Sequence, residues 1–140
     1  MIKNKCEVKM KKIEEIKEKI DYCLNCKTKP CSIKGCPLNN NIPEFIRAVK
    51  EEKYKEAYEI LSETTVLPGI CGKICPHMKQ CQGSCVRGIK GKTVNIGDIE
   101  CFIFEKAVEN GYSLKKVIKK EKNSELENKK VAIVGGGPAG

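Results

Sequence analysis

The pattern of hydrophobic and polar residues predicts several short amphipathic helices joined by polar loops. Over residues 8–22, apolar side chains recur near helical spacing, and Lys and Glu occupy many of the positions between them. The apolar positions of this predicted N-terminal helix are Val8, Ile13, Ile16 and Ile20. A second helix is expected with Pro43 at its first position, and its apolar residues are Phe45, Ile46 and Val49.

A third helix is predicted from about Tyr54 to Leu61, where apolar side chains again share one face. We expect Pro68 and Gly69 to break this helical stretch. The cysteine-rich segment that follows contains Pro and Gly, which are typical of loops and short turns.

The last third of the chain predicts one helix, a linker and a strand. Residues 97–107 form the helix, with Asp98 as its N-cap and Gly111 as the residue that stops it. Residues 112–130 are rich in Lys, Glu and Asn and predict a linker. The run Val-Ala-Ile-Val at 131–134 is typical of a short buried strand, and a glycine-rich turn follows it.

The composition of the chain is rich in cysteine. The 140 residues include 10 Cys, 1 His and no Trp, and aromatic residues make up only 5 %. A short chain with so few aromatic side chains is expected to use cross-links or metal as part of its core. The sequence has no apolar run of about 18 residues and no secretory signal, which predicts a cytoplasmic protein without a membrane segment. In that reducing compartment disulfides are disfavoured, and the thiols indicate metal binding.

The charge pattern argues against nucleic-acid binding. Lys and Arg number 27 against 18 Asp and Glu, a formal net charge of +9, but only Arg47 and Arg87 are arginines. The lysines concentrate in residues 3–19 and 115–130, where they alternate with Glu as on solvated helix faces. No known nucleic-acid-binding module is present. The positive charge instead suits an acidic partner, such as a ferredoxin or a larger catalytic subunit.

Eight of the cysteines fall into two groups. The first group has the spacing Cys-x2-Cys-x4-Cys-x4-Cys-Pro over residues 23–37, and the second Cys-x3-Cys-Pro-x4-Cys-x3-Cys over residues 71–85. Two structural zinc sites of an interaction module would use eight thiols. In two-cluster bacterial ferredoxins, the Cys before Pro ligates the other iron–sulfur cluster. The spacing here differs from those ferredoxins, so cysteine spacing alone leaves both kinds of site open.

Longer motifs extend beyond the cysteines. The first group continues through Cys36-Pro37-Leu38-Asn39 to Ile42-Pro43-Glu44-Phe45-Ile46. Further motifs are Gly72-x2-Cys75-Pro76, Cys81-x-Gly83-x-Cys85-x-Arg87-Gly88 and Ile96-Gly97-x-Ile99-Glu100. Together they resemble the N-terminal domain of the glutamate synthase small-subunit family, a domain that also occurs in dihydropyrimidine dehydrogenase. The resemblance covers about residues 20–110 and resumes at residue 131.

The resemblance implies an all-α domain that holds two [4Fe–4S] clusters and is followed by FAD- and NAD(P)H-binding Rossmann-like domains. Carried over position by position, it gives the first cluster four cysteine ligands: Cys23, Cys26, Cys31 and Cys85. It gives the second cluster three cysteines and a carboxylate: Cys36, Cys75, Cys81 and Glu100.

The fourth ligand of the second cluster has a competing neighbour. Cys101 is a thiol, the softer ligand for iron, but adjacent helix positions point about 100° apart, so only one of the two can face the cluster. The resemblance favours Glu100. Cys6, Cys71 and Cys101 are predicted to be non-ligands, with Cys71 packed beside the cluster, and His77 is predicted to be a hydrogen-bonding residue near it.

A glycine fingerprint closes the sequence. Residues 131–140 fit a strand followed by G-x-G-x-x-G, in which Gly135 makes the tight turn, Gly137 admits a pyrophosphate and Gly140 allows close helix–strand packing. The family has its FAD site here. The following helix and the acidic residue about 20 positions on are not in the sequence. We therefore expect a piece of a longer protein that does not bind FAD appreciably by itself.

These observations predict an electron-transfer domain of an NAD(P)H-dependent, FAD-containing oxidoreductase similar to the glutamate synthase small subunit. The alternative is a structural zinc-binding interaction module. The predicted organisation has four parts: an N-terminal helix over 1–22, a helical bis-[4Fe–4S] domain over 23–111, a linker over 112–130 and the start of the FAD domain over 131–140.

Overall fold

The fold is built from short helices, and the computed structural model describes residues 13–112, 129, 130, 132 and 134–136. Residues 13–21 are helical and are called α1. The other α-helices are α2 (Ile42–Lys50), α3 (Tyr54–Ser62), α4 (Pro68–Ile74) and α5 (Ile96–Asn110). A π-helix and two 3-10 helices lie between them: Cys31–Gly35, His77–Lys79 and Val86–Ile89. No strand occurs among these described residues, and the predicted all-α class is confirmed for them.

Several expectations concern residues that the structure does not describe. Val8, Cys6, Gly137 and Gly140 lie outside the described residues, as do parts of the predicted strand. Gly135 is described, and its φ of 103° is a backbone conformation that favours glycine. In the described part of the chain, no helix has both the length and the apolar character needed to cross a membrane.

One hydrophobic core joins α1, α2, α3 and α5. Ile16 and Ile20, from the predicted apolar face of α1, are each 4 % exposed and pack into this core. The apolar residues of α2 recur at positions i, i+3, i+4 and i+7, which places them on one buried face. Tyr54 of α3 meets Phe102 of α5 edge to face, with ring centroids 5.8 Å apart. The helices that carry the cysteine loops are therefore fixed to one another by ordinary apolar packing.

Three helix boundaries differ from the sequence-based expectation. Helix α2 begins one residue earlier, so that Pro43 is its second residue. The N-cap of α5 is Asn95, because its side-chain oxygen accepts the backbone N–H of Asp98 at 3.2 Å. Asp98 was the predicted cap and instead lies in the first turn, where its charge favours the helix dipole. Gly111 ends α5 as predicted, with a left-handed φ of 67°.

The third difference concerns Pro68, which was expected to break a helix and instead begins one. Helix α3 has already ended at Ser62, and Pro68 and Gly69 form the first turn of α4. Proline is tolerated there because its missing N–H would have had no partner within the helix. The sequence-based expectation of a loop was therefore wrong for residues 68–74.

Helices α4 and α5 cross closely because glycines meet at the crossing. A Cβ placed on Gly97 would lie 2.9 Å from the carbonyl oxygen of Gly72, and a Cβ placed on Gly72 would lie 3.0 Å from the carbonyl oxygen of Gly97. Side chains larger than hydrogen would force the two backbones apart. This crossing brings the cysteines of the α4 region next to Glu100 of α5.

Phe45→Ala is expected to lower the stability of the protein strongly. Phe45 is 0 % exposed, and truncating a buried Phe leaves a cavity that costs about 3–5 kcal/mol of stability. Val108→Ala on α5 is the matched control, because Val108 is 65 % exposed and its truncation is expected to change stability by less than about 0.5 kcal/mol. Urea unfolding followed by circular dichroism would compare the two midpoints, and equal midpoints would contradict the assignment of Phe45 to the core.

Candidate metal centre

Four cysteines from two distant segments line one cavity, called here the first cavity: Cys23, Cys26, Cys31 and Cys85. Most of the remaining lining is apolar and includes Ile42 and Ile46 of α2. The structure thus brings together all four residues that the resemblance assigns to the first cluster. Their role as ligands stays a prediction.

Tight turns explain how one short segment presents three of these thiols. Asn25 and Lys29 adopt left-handed backbone conformations, with φ of 49° and 44°, which turn the chain back on itself. The backbone N–H of Lys29 donates to the carbonyl of Cys26 at 3.2 Å and closes one of these turns. Cys85 lies at the end of another turn, where its N–H donates to the carbonyl of Gln82 at 3.0 Å.

Arg87 connects the two segments that line the first cavity. Its Nε donates a hydrogen bond to the carbonyl oxygen of Tyr22 at 2.9 Å, and its guanidinium carbon lies 4.3 Å from the centre of the Tyr22 ring. Tyr22 directly precedes Cys23, and Arg87 follows Cys85 by two positions. The contact therefore holds these two thiols on the same cavity, and the arginine places a positive charge beside them.

Two thiols of the first cavity, Cys23 and Cys31, are poor acids when no cation is near. Burial raises the pKa of Cys23, and the neighbouring Cys26 and Cys85 raise it further, although Arg87 opposes them. Burial and two neighbouring thiols likewise raise the pKa of Cys31 to about 11. Metal binding in this cavity would therefore release protons, because the thiolate is the ligand form.

A second cavity of about 110 Å³ contains the other candidate ligands. Its sulfur and carboxyl donors are Cys36, Cys71, Cys75, Cys81 and Glu100. All four residues that the resemblance assigns to the second cluster are present, again with their ligand role a prediction. Cys71 was expected beside the cluster and lies in the lining itself.

Glu100 places a buried carboxyl group in the second cavity, which is energetically unfavourable. Its side chain is only 6 % exposed and lies among the thiols that line this cavity. Burial raises its pKa to about 7. A buried carboxyl facing thiols is costly unless a cation or a proton compensates it. The donor set of three thiols and this carboxyl therefore fits an iron–sulfur group.

The carboxyl and the thiols of the second cavity influence one another. Burial and then the charge of Glu100 raise the pKa of Cys81 to about 12. Burial raises the pKa of Cys75 to about 11, with contributions from Cys71 and from Glu100. The negative groups are thus close enough to repel one another, as ligands of one cationic group must be.

Cys101 takes a different place from Glu100, its neighbour on α5. It is not among the residues that line the second cavity, and its Sγ would lie 2.9 Å from a Cβ placed on Gly72. It therefore belongs to the close crossing of α4 and α5. The two side chains point in different directions, as adjacent helix positions must.

His77 makes hydrogen bonds beside the second cavity, which is the role that the sequence predicted for it. Its Nε2 lies 3.2 Å from the carbonyl oxygen of Gly72, an acceptor, so Nε2 carries the proton in this bond. Its Nδ1 lies 3.4 Å from Sγ of Cys81. The imidazole therefore connects Cys81 to the backbone of α4 at Gly72. No sequence pattern indicated that the carbonyl of Gly72 would be its partner.

A single turn of backbone joins the two cavities. The π-helix Cys31–Gly35 has Cys31 of the first cavity at its start, and Cys36 of the second cavity directly follows it. The backbone N–H of Cys36 donates to the carbonyl of Cys31 at 2.9 Å. π-Helical turns of this kind occur frequently at functional sites.

Thiols facing two adjacent cavities of a helical domain are typical of iron–sulfur electron carriers, because soft sulfur ligands suit iron. No group of three or more His, Cys, Asp or Glu residues in the described ranges is arranged to hold a single metal ion.

Comparison with known protein families also indicates an iron–sulfur protein. Residues 2–112 match the model of the family described as dihydropyrimidine dehydrogenase domain II, 4Fe-4S cluster. The chain belongs to this family, and the resemblance proposed from the sequence is confirmed.

Several curated relatives are glutamate synthase small chains, and others are putative oxidoreductases. The glutamate synthase [NADPH] small chain of Escherichia coli (strain K12) is 38 % identical over 126 residues, which cover 90 % of this chain and 25 % of the relative. The corresponding small chain of Bacillus subtilis (strain 168) is 40 % identical over 126 residues, or 84 % and 24 %. That of Azospirillum brasilense is 35 % identical over 130 residues, or 91 % and 25 %. The chain spans about a quarter of the length of these relatives.

Proposed function

We propose that this chain is an electron-transfer domain that binds two [4Fe–4S] clusters, one in each cavity. The observation that carries the proposal is that two independent predicted ligand sets each line one cavity of the structure. The first cluster would be held by four cysteines: Cys23, Cys26, Cys31 and Cys85. The second would be held by three cysteines and a carboxylate: Cys36, Cys75, Cys81 and Glu100.

When bound, each cluster supplies a centre that takes up and releases one electron, and the protein forms no bonds to a substrate there. The side chains around the cavities determine how this happens. The apolar lining of the first cavity excludes water, and Arg87 places positive charge beside Cys23. His77 supports Cys81, and Glu100 supplies an oxygen donor in place of a fourth sulfur. These differences are expected to give the two centres unequal potentials.

For the whole protein, we propose an NAD(P)H-dependent, FAD-containing oxidoreductase similar to the glutamate synthase small chain. The names of the relatives support this proposal, and so does the glycine fingerprint, where Gly135, Gly137 and Gly140 would approach FAD. In this arrangement residues 1–22 form the N-terminal helix, 23–111 the cluster domain, 112–130 a linker and 131–140 the start of the FAD domain. A large catalytic subunit or an acidic ferredoxin is the proposed partner, because the chain is strongly basic.

Metal analysis of the anaerobically prepared chain tests the proposal. We expect a brown protein with about eight irons and eight sulfides per chain. The visible absorption should bleach on reduction by dithionite. A colourless protein with about two zinc ions and no sulfide would contradict the proposal and support the structural zinc module instead.

Arg87→Met is expected to lower the reduction potential of the first cluster. Removing a positive charge beside the thiolates makes an added electron less favourable, by about 20–60 mV for a charge effect of about 0.5–1.4 kcal/mol. A redox titration followed by electron paramagnetic resonance at low ionic strength would measure the shift.

Two further variants separate charge from other effects in that titration. Arg87→Lys retains the positive charge and should recover most of the potential. Arg47→Met removes a charge that pairs with Glu44 and lines neither cavity, so it should leave the potential nearly unchanged. Equal shifts for Arg87→Met and Arg47→Met would contradict a local role for Arg87.

A further inference from the structure

We propose that Cys71 is a reserve ligand of the second cluster, whose thiolate takes the fourth ligand position when the carboxylate of Glu100 is removed. The inference rests on the function proposed above, because it concerns the donors around a bound cluster. It goes beyond the family resemblance, which gives Cys71 no ligand role.

Cys71 lies among the donors of the second cavity. It lines the cavity together with Glu100 and the three cysteines assigned to the cluster. It precedes Cys75 by four positions, so the two thiols share one helix face, and Cys71 contributes to the raised pKa of Cys75. Thr65 Oγ1 lies 3.5 Å from Sγ of Cys71 on the other side. The thiol is therefore held where it can reach a group bound in the cavity.

The cavity offers five donors, whereas four iron corners need four protein ligands. Three of these donors are the cysteines that the family resemblance assigns to the cluster: Cys36, Cys75 and Cys81. The fourth position can be taken either by the Glu100 carboxylate or by the thiolate of Cys71, and thiolate is the softer donor, which iron in a sulfide cage prefers.

The exchange is a simple ligand substitution. The fourth iron lacks its bond to a Glu100 oxygen and forms one bond to the Cys71 sulfur. The thiol proton of Cys71 leaves to solvent, and no electron is transferred. A side-chain rotation of Cys71 away from Thr65 and Cys75 is the movement that it requires.

Cys101 provides a matched comparison, because it is also a thiol close to Glu100 in the sequence. Its Sγ occupies the crossing of α4 and α5 against Gly72 and does not line the second cavity. If proximity along the sequence determined which thiolate replaces the Glu100 carboxylate, Cys101 would be the new ligand. If position in the cavity determines it, the new ligand is Cys71.

The experiment compares iron and sulfide contents of four anaerobically prepared proteins. The wild type and Glu100→Ala are both expected to hold about eight irons per chain. Glu100→Ala combined with Cys71→Ser is expected to fall to about seven or fewer, with a [3Fe–4S] signal in electron paramagnetic resonance. Glu100→Ala combined with Cys101→Ser should retain about eight. In all four proteins, the signal of the first cluster reports that the domain has folded.

Two results would overturn the inference. One is loss of iron from Glu100→Ala alone, which would show that no other side chain replaces the carboxylate. The other is equal iron content in the two double variants, whether both retain about eight irons or both lose some. A wild type without iron would instead refute the proposed function, so the two failures can be told apart.

Discussion

Replacing Cys85 by serine is expected to halve the iron content of the domain, from about eight to about four atoms per chain. Cys85 is the one thiol of the first cavity that comes from the second cysteine group; the other three come from residues 23–31, which follow α1 and end at the first residue of the π-helix. Without it, the first cluster keeps ligands from only one segment, while the contact of Arg87 with Tyr22 remains in place. Iron and sulfide analysis with electron paramagnetic resonance would measure the loss.

Cys101→Ser is the matched control for this variant. It also removes a thiol, but one that lines neither cavity, so about eight irons should remain. Thermal unfolding should show the same order, with a lower midpoint for Cys85→Ser than for Cys101→Ser, because bound metal stabilises the folded state that binds it. A Cys85→Ser protein with full iron and an unchanged spectrum would refute the ligand assignment of the first cavity.

Gly35→Ala is expected to remove the second cluster and spare the first. A Cβ at Gly35 would lie 2.7 Å from Cα of Cys81 and 2.8 Å from the carbonyl oxygen of Gln80. Both are backbone atoms, so the strain cannot be relieved by a side-chain rotation, and the loops that carry Cys36 and Cys81 must move apart. We expect a loss of about four irons and a decrease in stability of about 1–3 kcal/mol.

Gly91→Ala is the matched control for Gly35→Ala, because a Cβ at position 91 makes only ordinary contacts. The nearest atom to a Cβ at Gly91 is the hydroxyl oxygen of Tyr22 at 3.5 Å, an ordinary contact. This variant should retain about eight irons. If Gly35→Ala and Gly91→Ala held the same amount of iron, the close approach of the two cysteine loops would not be needed for the second site.

The helices that sequence patterns predicted well are those with a strong apolar face. In α2, Phe45, Ile46 and Val49 are buried as expected, because burial of that face largely determines whether the helix forms. Helix α4 was missed because its seven residues include two glycines and show little periodicity. It is stabilised by its packing against α5, a tertiary effect that local patterns do not record.

Only part of the candidate site could be predicted from the sequence, because the rest depends on tertiary packing. Cysteine spacing identified the metal-binding segments, but it left zinc and iron–sulfur sites both open. The division into two donor sets, with Cys85 joining the first segment, came from the family resemblance. Cys71 lines the second cavity and Cys101 does not, because their side chains point in different directions at the crossing of α4 and α5. Sequence patterns do not record these directions. Likewise, the contact between Arg87 and Tyr22 depends on three-dimensional placement.

The π-helix that ends at Gly35 has a consequence for the order in which the domain fills with electrons. Cys31 at its start and Cys36 just after it belong to different cavities, and negative charge at either residue raises the pKa of Cys81. If two clusters bind as proposed, the same repulsion would act on electrons, so an electron on one cluster would oppose reduction of the other. Reduction would then be stepwise and anticooperative, with the singly reduced domain favoured at intermediate potentials.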